Sequence, residues 1–150
     1  MARLPGAVLF ACNLNRVRSP IAEGLMKRMF ADRVFVDSCG VRPGDDDSPD
    51  AFMVAAMDEA GVDMAAHRRK TFADLEDDSF DVVISLTPES HHRAVELARG
   101  RAVEIEYWPI HDPTLVLGPR DAVLDAYRAV RDALEARIRD RFPLARTFGG

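Results

Sequence analysis

Val8-Leu9-Phe10-Ala11-Cys12-Asn13-Leu14-Asn15-Arg16-Val17-Arg18-Ser19-Pro20 reads as a buried strand, a short polar loop and the start of a helix. The apolar run has strand length, and Ser19-Pro20 pairs a capping hydroxyl with a residue pre-set for the first helical turn. A cysteine opens the loop and an arginine closes it. A loop that closes onto a helix N-terminus turns backbone N–H groups inward, and the helix dipole adds positive potential. A tetrahedral oxyanion is the natural guest. Arg18 supplies a fixed two-pronged donor for two of its oxygens. The same field favours the thiolate of Cys12 as an attacking group. Ser19 is placed to cap the helix, to donate to that thiolate, or both. Asn15 is a residue type that tolerates the left-handed backbone of a tight loop.

The rest of the chain reads as scaffold for this loop. A second continuous apolar run, Val82-Val83-Ile84-Ser85-Leu86, marks another central strand. Val34-Phe35-Val36 is shorter, and Val103-Glu104-Ile105-Glu106-Tyr107 alternates, as strands nearer the sheet edges do. Helices fall between them. Ser48-Pro49 and Thr87-Pro88 repeat the start signal of Ser19-Pro20, and Gly61 and Gly100 mark where the second and third helices stop. Val123, Tyr127, Val130, Leu134 and Ile138 give a last helix, from about Asp121 to Phe142, one apolar stripe. Four alternations of strand and helix predict an α/β fold. Its layers are helix, sheet and helix, with a four-stranded parallel sheet and right-handed crossovers. With the two apolar runs central, the strand order is 2-1-3-4. The order reverses between the first and third strands, and ligands bind such sheets beyond the strand ends at that point. The Cys12–Arg18 loop leaves there.

Composition narrows the function further. The chain has 150 residues, 47% hydrophobic and 30% charged, which predicts one domain over residues 1–150. A net charge of −5 argues against a nucleic-acid partner, since phosphate backbones need a basic face. No apolar run approaches the roughly 20 residues that span a bilayer, and the first residues do not read as a signal peptide. A cytoplasmic protein with no membrane partner is therefore expected. Cys12 and Cys39 are the only cysteines, and Cys39 reads as a small buried hydrophobe. Adjacent His91 and His92 point about 100° apart on a helix, so no metal pair is expected and both read as surface residues. Asp45-Asp46-Asp47 reads as a solvated turn, and His67-Arg68-Arg69-Lys70 as a basic patch salt-bridged locally. After the fourth strand, Asp112-Pro113 emerges on the same sheet edge as the Cys12 loop, as an acid for the leaving group or as a plain Asp-Pro turn.

The Cys12–Ser19 loop, the Ser38-Cys39-Gly40 turn and the late Asp112-Pro113 together resemble the low-molecular-weight protein tyrosine phosphatase family, whose fold arsenate reductases share. The resemblance spans nearly the whole chain and implies the same flavodoxin-like sheet. It implies Cys12 as nucleophile, Arg18 as phosphate clamp, and Asp112 as general acid and then base. The phosphate-binding loop would comprise Asn13, Leu14, Asn15, Arg16, Val17, Arg18 and Ser19, with no metal or cofactor. The implied reaction is hydrolysis of a phosphomonoester, on a phosphotyrosine protein or a small aryl phosphate, through a phosphocysteine. Phosphate, arsenate and vanadate are the implied competing anions.

The family loop usually reads Cys-x-Gly-Asn-x-Cys-Arg-Ser. Here Leu14 replaces the glycine and Val17 the second cysteine, so Cys12 lacks a disulfide partner unless Cys39 approaches it. Arg16 brings a positive charge to the rim in place of isoleucine or threonine. The usual aromatic walls are missing from Val41–Asp47 and from Thr114-Leu115-Val116-Leu117. Two rival readings keep the loop. One is arsenate reduction with an external thiol, because no cysteine follows Cys39 to relay a disulfide. The other is a non-catalytic module that binds phosphate or a phosphoprotein.

Overall fold

A computed structural model describes residues 4–144 of the chain. Four parallel strands form one sheet: β1 (Ala7–Cys12), β2 (Phe35–Gly40), β3 (Val82–Ser85) and β4 (Glu104–Tyr107). Their order is β2-β1-β3-β4, as expected. Four α-helices connect and follow them: α1 (Arg18–Phe30), α2 (Ala51–Glu59), α3 (Pro88–Leu97) and α4 (Arg120–Arg141). Among the described residues no helix is long and apolar enough to cross a membrane.

The two faces of the sheet carry separate cores. Val8, Phe10, Val36, Val82 and Ile84 face α1, α2 and α4, where Ile21, Met26, Met53, Tyr127, Leu134 and Phe142 close the layer. Leu9, Ala11, Cys39 and Val83 face the other way, against Ala94 of α3 and against Phe72 and Phe80. The alternation follows from the two-residue period of a strand. It also separates the two cysteines. Cys39 sits opposite Ala11, and Cys12 opposite Gly40, so the thiols project from opposite faces. Cys39 is fully buried, and burial pushes its thiol well above the ordinary range. It is the inert hydrophobe expected of it.

Several helix starts differ from expectation. Only Thr87-Pro88 behaves as read: the Thr87 hydroxyl accepts from the Ser90 N–H at 3.1 Å, and Ser90 returns the bond in a capping box. At α2 the cap is Asp50, whose Oδ1 accepts from the N–H groups of Phe52 at 3.0 Å and Met53 at 3.1 Å. Ser48 is diverted, because its hydroxyl and its N–H both bond to Asp46. At α1 the helix begins at Arg18, one residue before Ser19, and has no side-chain cap. Proline at its third position is tolerated, since no intrahelical bond is due from the first turn. The second and third helices end just before Gly61 and Gly100, both left-handed with φ of 77° and 73°. On α4 the inward stripe takes Leu124 as well as Tyr127, Val130, Leu134 and Ile138, while Val123 is only partly buried.

Strand β2 runs four residues past the predicted apolar segment and ends in Ser38-Cys39-Gly40. Small side chains are needed there because the Cys12 loop folds across it. A Cβ on Gly40 would lie 2.7 Å from Asn15 N and 2.8 Å from Asn13 O, both fixed backbone atoms. Gly40→Ala is expected to cost about 1–3 kcal/mol through overpacking and to lower phosphate affinity with it. Denaturant unfolding and phosphate titration check the pair, and unchanged phosphate affinity would separate this contact from the loop's shape.

Candidate active site

Strand β1 delivers Cys12 to the sheet edge, and the chain turns through residues 13–17 before entering α1. The turn is anchored from below. Val41 N–H donates to Cys12 O at 3.1 Å and to Asn13 O at 2.8 Å, and Arg42 N–H donates to Asn13 O at 3.1 Å. From α3, the Thr87 hydroxyl donates to Asn13 Oδ1 at 2.7 Å. Among the described residues, no N–H from Leu14 to Val17 donates to a backbone acceptor of the protein. Backbone donors left in this way at an uncapped helix start are the construction of an anion site.

Asn15 holds the turn. Its φ is 54°, the left-handed conformation read from its residue type, and its side chain is fully buried. Each amide group has a partner. Nδ2 donates to Ser19 Oγ and to Ser38 Oγ, both at 2.9 Å, and Oδ1 accepts from Lys70 N–H at 3.0 Å. Ser19 Oγ lies 2.9 Å from Cys12 Sγ. The Ser19 hydroxyl has two acceptors in reach, Cys12 Sγ and, at 3.4 Å, Cys39 O, the sulfur being the nearer. Of the two uses open to Ser19, capping is not realised, and the hydroxyl stands where it can donate to a Cys12 thiolate. The network continues outward: Ser38 donates to Glu23 Oε1, and Lys27 Nζ donates to Glu23 Oε2 at 2.6 Å.

A hollow of about 120 Å³ opens over Cys12, lined by Asn13, Leu14, Arg16, Val17, Arg18, Arg42, Asp112 and Thr114. Sequence-predicted Arg18 and Asp112 thus meet Cys12 at one site, although Asp112 lies about a hundred residues away in sequence. Arg18 Nη1 donates to Ile110 O at 3.0 Å, and Nη2 stands 3.9 Å from Asp112 Oδ2. Asp112 Oδ1 is taken by Thr114, whose N–H and hydroxyl donate at 2.9 and 2.6 Å. That leaves Oδ2 as the oxygen turned to the hollow. Val17, where the family has a cysteine, is buried in the core below. Among the described residues no aromatic ring lines the hollow.

Arg16 does reach the rim, as expected, but it is tied. Its Nε donates to Asp50 Oδ2 at 2.6 Å, and Tyr127 OH donates to the same oxygen at 3.2 Å. Burial works against the Arg16 charge, yet the bond to Asp50 and its negative charge outweigh this and hold the guanidinium above its ordinary pKa. Asp50 therefore joins the helix α2 cap to the loop. Sequence reading missed Asp50, Thr114, Ser38 and Glu23 in these parts. Thr114 alone had a local signal, the Asx-type turn of Asp-Pro-Thr. The others come from distant segments.

Other sequence readings change in place. His91 is half-buried rather than a surface residue: Nδ1 lies 3.0 Å from Ser85 Oγ, and the ring stacks on Tyr107. His92 is exposed as read. Within His67-Arg68-Arg69-Lys70, and among the described residues, only Lys70 forms a salt bridge, at 2.7 Å to Asp37. His67 Nε2 lies 3.1 Å from Asn15 O. Burial lowers the His67 pKa from its ordinary 6.5, against the opposing pull of the Asn15 carbonyl. A histidine depressed in the folded state gives stability that is whole above the unfolded value and lost as pH falls below it. Unfolding free energy is therefore expected to drop as pH falls below about 6.5. His67→Gln should flatten that part of the profile, and an unchanged profile would remove His67 as the cause.

Among the described residues no group of three or more His, Cys, Asp or Glu side chains is placed to hold a metal. The arrangement offers instead a thiol, a hydroxyl aimed at it, a ring of N–H donors, a guanidinium and a carboxylate across one small hollow. Nucleophilic attack on a bound oxyanion, with proton transfer from the opposite side, is the chemistry such parts support.

Known proteins of this construction are similar along most of the chain. The glutaredoxin arsenate reductase of Synechocystis sp. is 28% identical over 131 residues, covering 87% of this chain and 92% of the relative. The protein-arginine-phosphatase of Geobacillus stearothermophilus is 26% identical over 138 residues, covering 90% and 93%. A solved arsenate reductase in its phosphate-binding state superposes with a TM-score of 0.72 at 27% identity, covering 90% of this chain and 95% of that one. The sequence pattern of the low molecular weight phosphotyrosine protein phosphatases matches residues 7–145, and the chain belongs to that family.

Proposed function

We propose that this chain is a cysteine-dependent phosphatase that hydrolyses a phosphomonoester, a phosphotyrosine protein or small aryl phosphate, through a phosphocysteine. The observation that carries this is the placement of Cys12, Arg18 and Asp112 Oδ2 around one hollow. In the first step Cys12 Sγ attacks phosphorus and the bond to the ester oxygen breaks. Arg18 and the loop N–H groups hold the equatorial oxygens as charge shifts onto them. Asp112 gives its proton to the leaving oxygen. In the second step Asp112 takes a proton from water, the water oxygen attacks phosphorus, and the S–P bond breaks. Phosphate leaves and the Cys12 thiolate returns. Thr114 serves by holding the other carboxylate oxygen still.

A second reading rests on the small hollow without aromatic walls and on the arsenate reductases among the relatives. Here Cys12 attacks arsenic, displacing hydroxide as water. An external thiol then attacks the sulfur, forming a mixed disulfide as arsenic(V) takes two electrons and leaves as arsenite. A further thiol reduces the disulfide. The supply must be external, because Cys39 projects from the opposite face.

Turnover of a phosphotyrosine peptide, phosphoarginine and arsenate, each with and without glutathione, separates these readings. Ester hydrolysis without thiol supports the first. Thiol-dependent arsenite production with no ester hydrolysis replaces it by the second. Under the first reading Asp112→Asn lowers turnover by roughly 10²–10⁴-fold and leaves phosphate affinity unchanged. The loss is smaller for an aryl phosphate whose leaving oxygen needs no proton. An equal loss on every leaving group would take the acid role from Asp112.

A further inference from the structure

A hollow larger than the one that holds Cys12 opens elsewhere among the described residues. It measures about 680 Å³ and lies between α1 and the segment 61–70, within the size range of small-molecule sites. Its charge is out of keeping with the chain. Lys27, Arg28, Arg68, Arg69 and Lys70 line it, against the carboxylates of Glu23 and Asp63 alone, on a protein whose net charge is −5. Two of the cations are matched, Lys27 by Glu23 and Lys70 by Asp37. Arg28, Arg68 and Arg69 form no salt bridge among the described residues. Arg28 lies over Gly61, whose missing side chain makes room for the guanidinium. Among the described residues Arg68 donates only to the carbonyl of its neighbour His67. Arg69 also borders a second hollow beside residues 43–47, where its Nη1 stands against Gly44 and its charge acts on Asp46, so its guanidinium is turned partly away from this groove. Val62, Met64 and Gly24 add an apolar bed.

The wall of this groove also holds the Cys12 loop. His67 meets the Asn15 carbonyl, Lys70 N–H donates to the Asn15 side chain, and Glu23 receives the Ser38 hydroxyl that Asn15 in turn contacts. Asn15 is the left-handed residue on which the loop turns. An anion drawn in by Arg28 and Arg68 would lie against these three residues and compete with Glu23 for the Lys27 ammonium.

We propose that the groove between α1 and residues 61–70 is a second anion site, for a small polyphosphate, and that its occupation is transmitted to the Cys12 loop through Asn15. The binding half stands on the groove alone; its regulatory meaning rests on the reading of the loop as catalytic. Guanidinium groups left without carboxylates, and able to give paired hydrogen bonds, are suited to phosphate oxygens. Arg28 and Arg68, with the Lys27 ammonium beside them in one groove, fit a ligand with more than one phosphate group.

Inorganic tripolyphosphate in metal-free buffer is the probe. Calorimetric titration of the wild-type protein should show two classes of site, one in the Cys12 loop and one in the groove. Arg18→Ala should keep the groove class and lose or weaken the other. Arg28→Ala/Arg68→Ala should do the reverse, weakening the groove class on the order of tenfold or more with basal phosphatase turnover and melting temperature unchanged. In the Arg18→Ala protein, the Asn15 side-chain amide resonances should shift with tripolyphosphate. They should stay in place when Arg28→Ala/Arg68→Ala is added. A single class of site that disappears with Arg18→Ala overturns the proposal, as does a groove class indifferent to Arg28 and Arg68. Binding in the groove with no movement of the Asn15 amide overturns the transmission. The titration and resonance readouts need no turnover, so they fail independently of the phosphatase reading.

Discussion

Cys12→Ser is expected to abolish turnover, by roughly 10⁴-fold or more, while phosphate still binds. The substitution keeps the size of the side chain and every donor around it. Arg18, the Asn13–Val17 turn and its anchors to Val41, Arg42 and Thr87 do not involve the sulfur. What is lost is a nucleophile that ionises readily. The only side-chain hydrogen-bonding partner of Cys12 among the described residues is Ser19, a hydroxyl that donates to an anion but does not take a proton from a neutral alcohol. With no base beside it, a serine at position 12 stays protonated and attacks phosphorus poorly. Aryl phosphate turnover and calorimetric phosphate affinity check the two halves. Full turnover by the serine protein would end the phosphocysteine mechanism. A wild-type protein that binds phosphate as tightly as the variant but turns over neither esters nor arsenate would be the non-catalytic module. Binding alone has no use for an acid held by Thr114 or a hydroxyl aimed at sulfur, which weighs against that outcome.

How much of this was legible without coordinates depends on how far each part reaches along the chain. The sheet order follows from two apolar runs, because only buried central strands afford unbroken hydrophobic stretches. The Cys12 loop was legible because its parts are contiguous: strand, thiol, left-handed Asn15, arginine and helix start follow one another within a dozen residues. Asp112 was legible in position, as a residue beyond the fourth strand on the same edge, though its chemistry did not distinguish it from a turn. The capping of α1 was misread for a physical reason. Ser-Pro is a sound helix start, but here the hydroxyl serves the thiol and the first-turn donors stay open, so a local rule gives way at the site itself. Glu23, Ser38, His67 and Asp50 were out of reach, since each is ordinary in its own segment and meaningful only through Asn15 or Arg16. The basic patch at residues 67–70 was read as paired, and among the described residues three of its four members are not salt-bridged. Pairing between distant segments has no local pattern to read.

Arg18→Ala should be nearly as damaging as loss of the thiol, but in a different way. A drop in kcat/KM of roughly 10³-fold is expected together with a marked loss of phosphate affinity. The guanidinium has a partly buried position fixed from β4's side of the site: Ile110 O accepts from Nη1 at 3.0 Å, and Asp112 Oδ2 stands 3.9 Å from Nη2. A bound oxyanion therefore meets a fork already oriented, and the fork strengthens its hold as charge builds on the equatorial oxygens. Lysine restores a point charge and not the paired geometry, so Arg18→Lys should recover affinity more than rate. Asp112→Asn lowers rate and leaves affinity, which separates clamp from acid. The two side chains face each other across the hollow, so the double variant should lose less than the product of the single losses. If Arg18→Ala lowered turnover and left phosphate affinity intact, its role would be to position the Ile110–Asp112 segment, and the oxyanion would be held by the loop N–H groups alone. Simple multiplication of the single losses would place the two residues in separate functions, and the proton donor would then have to be sought elsewhere on the rim.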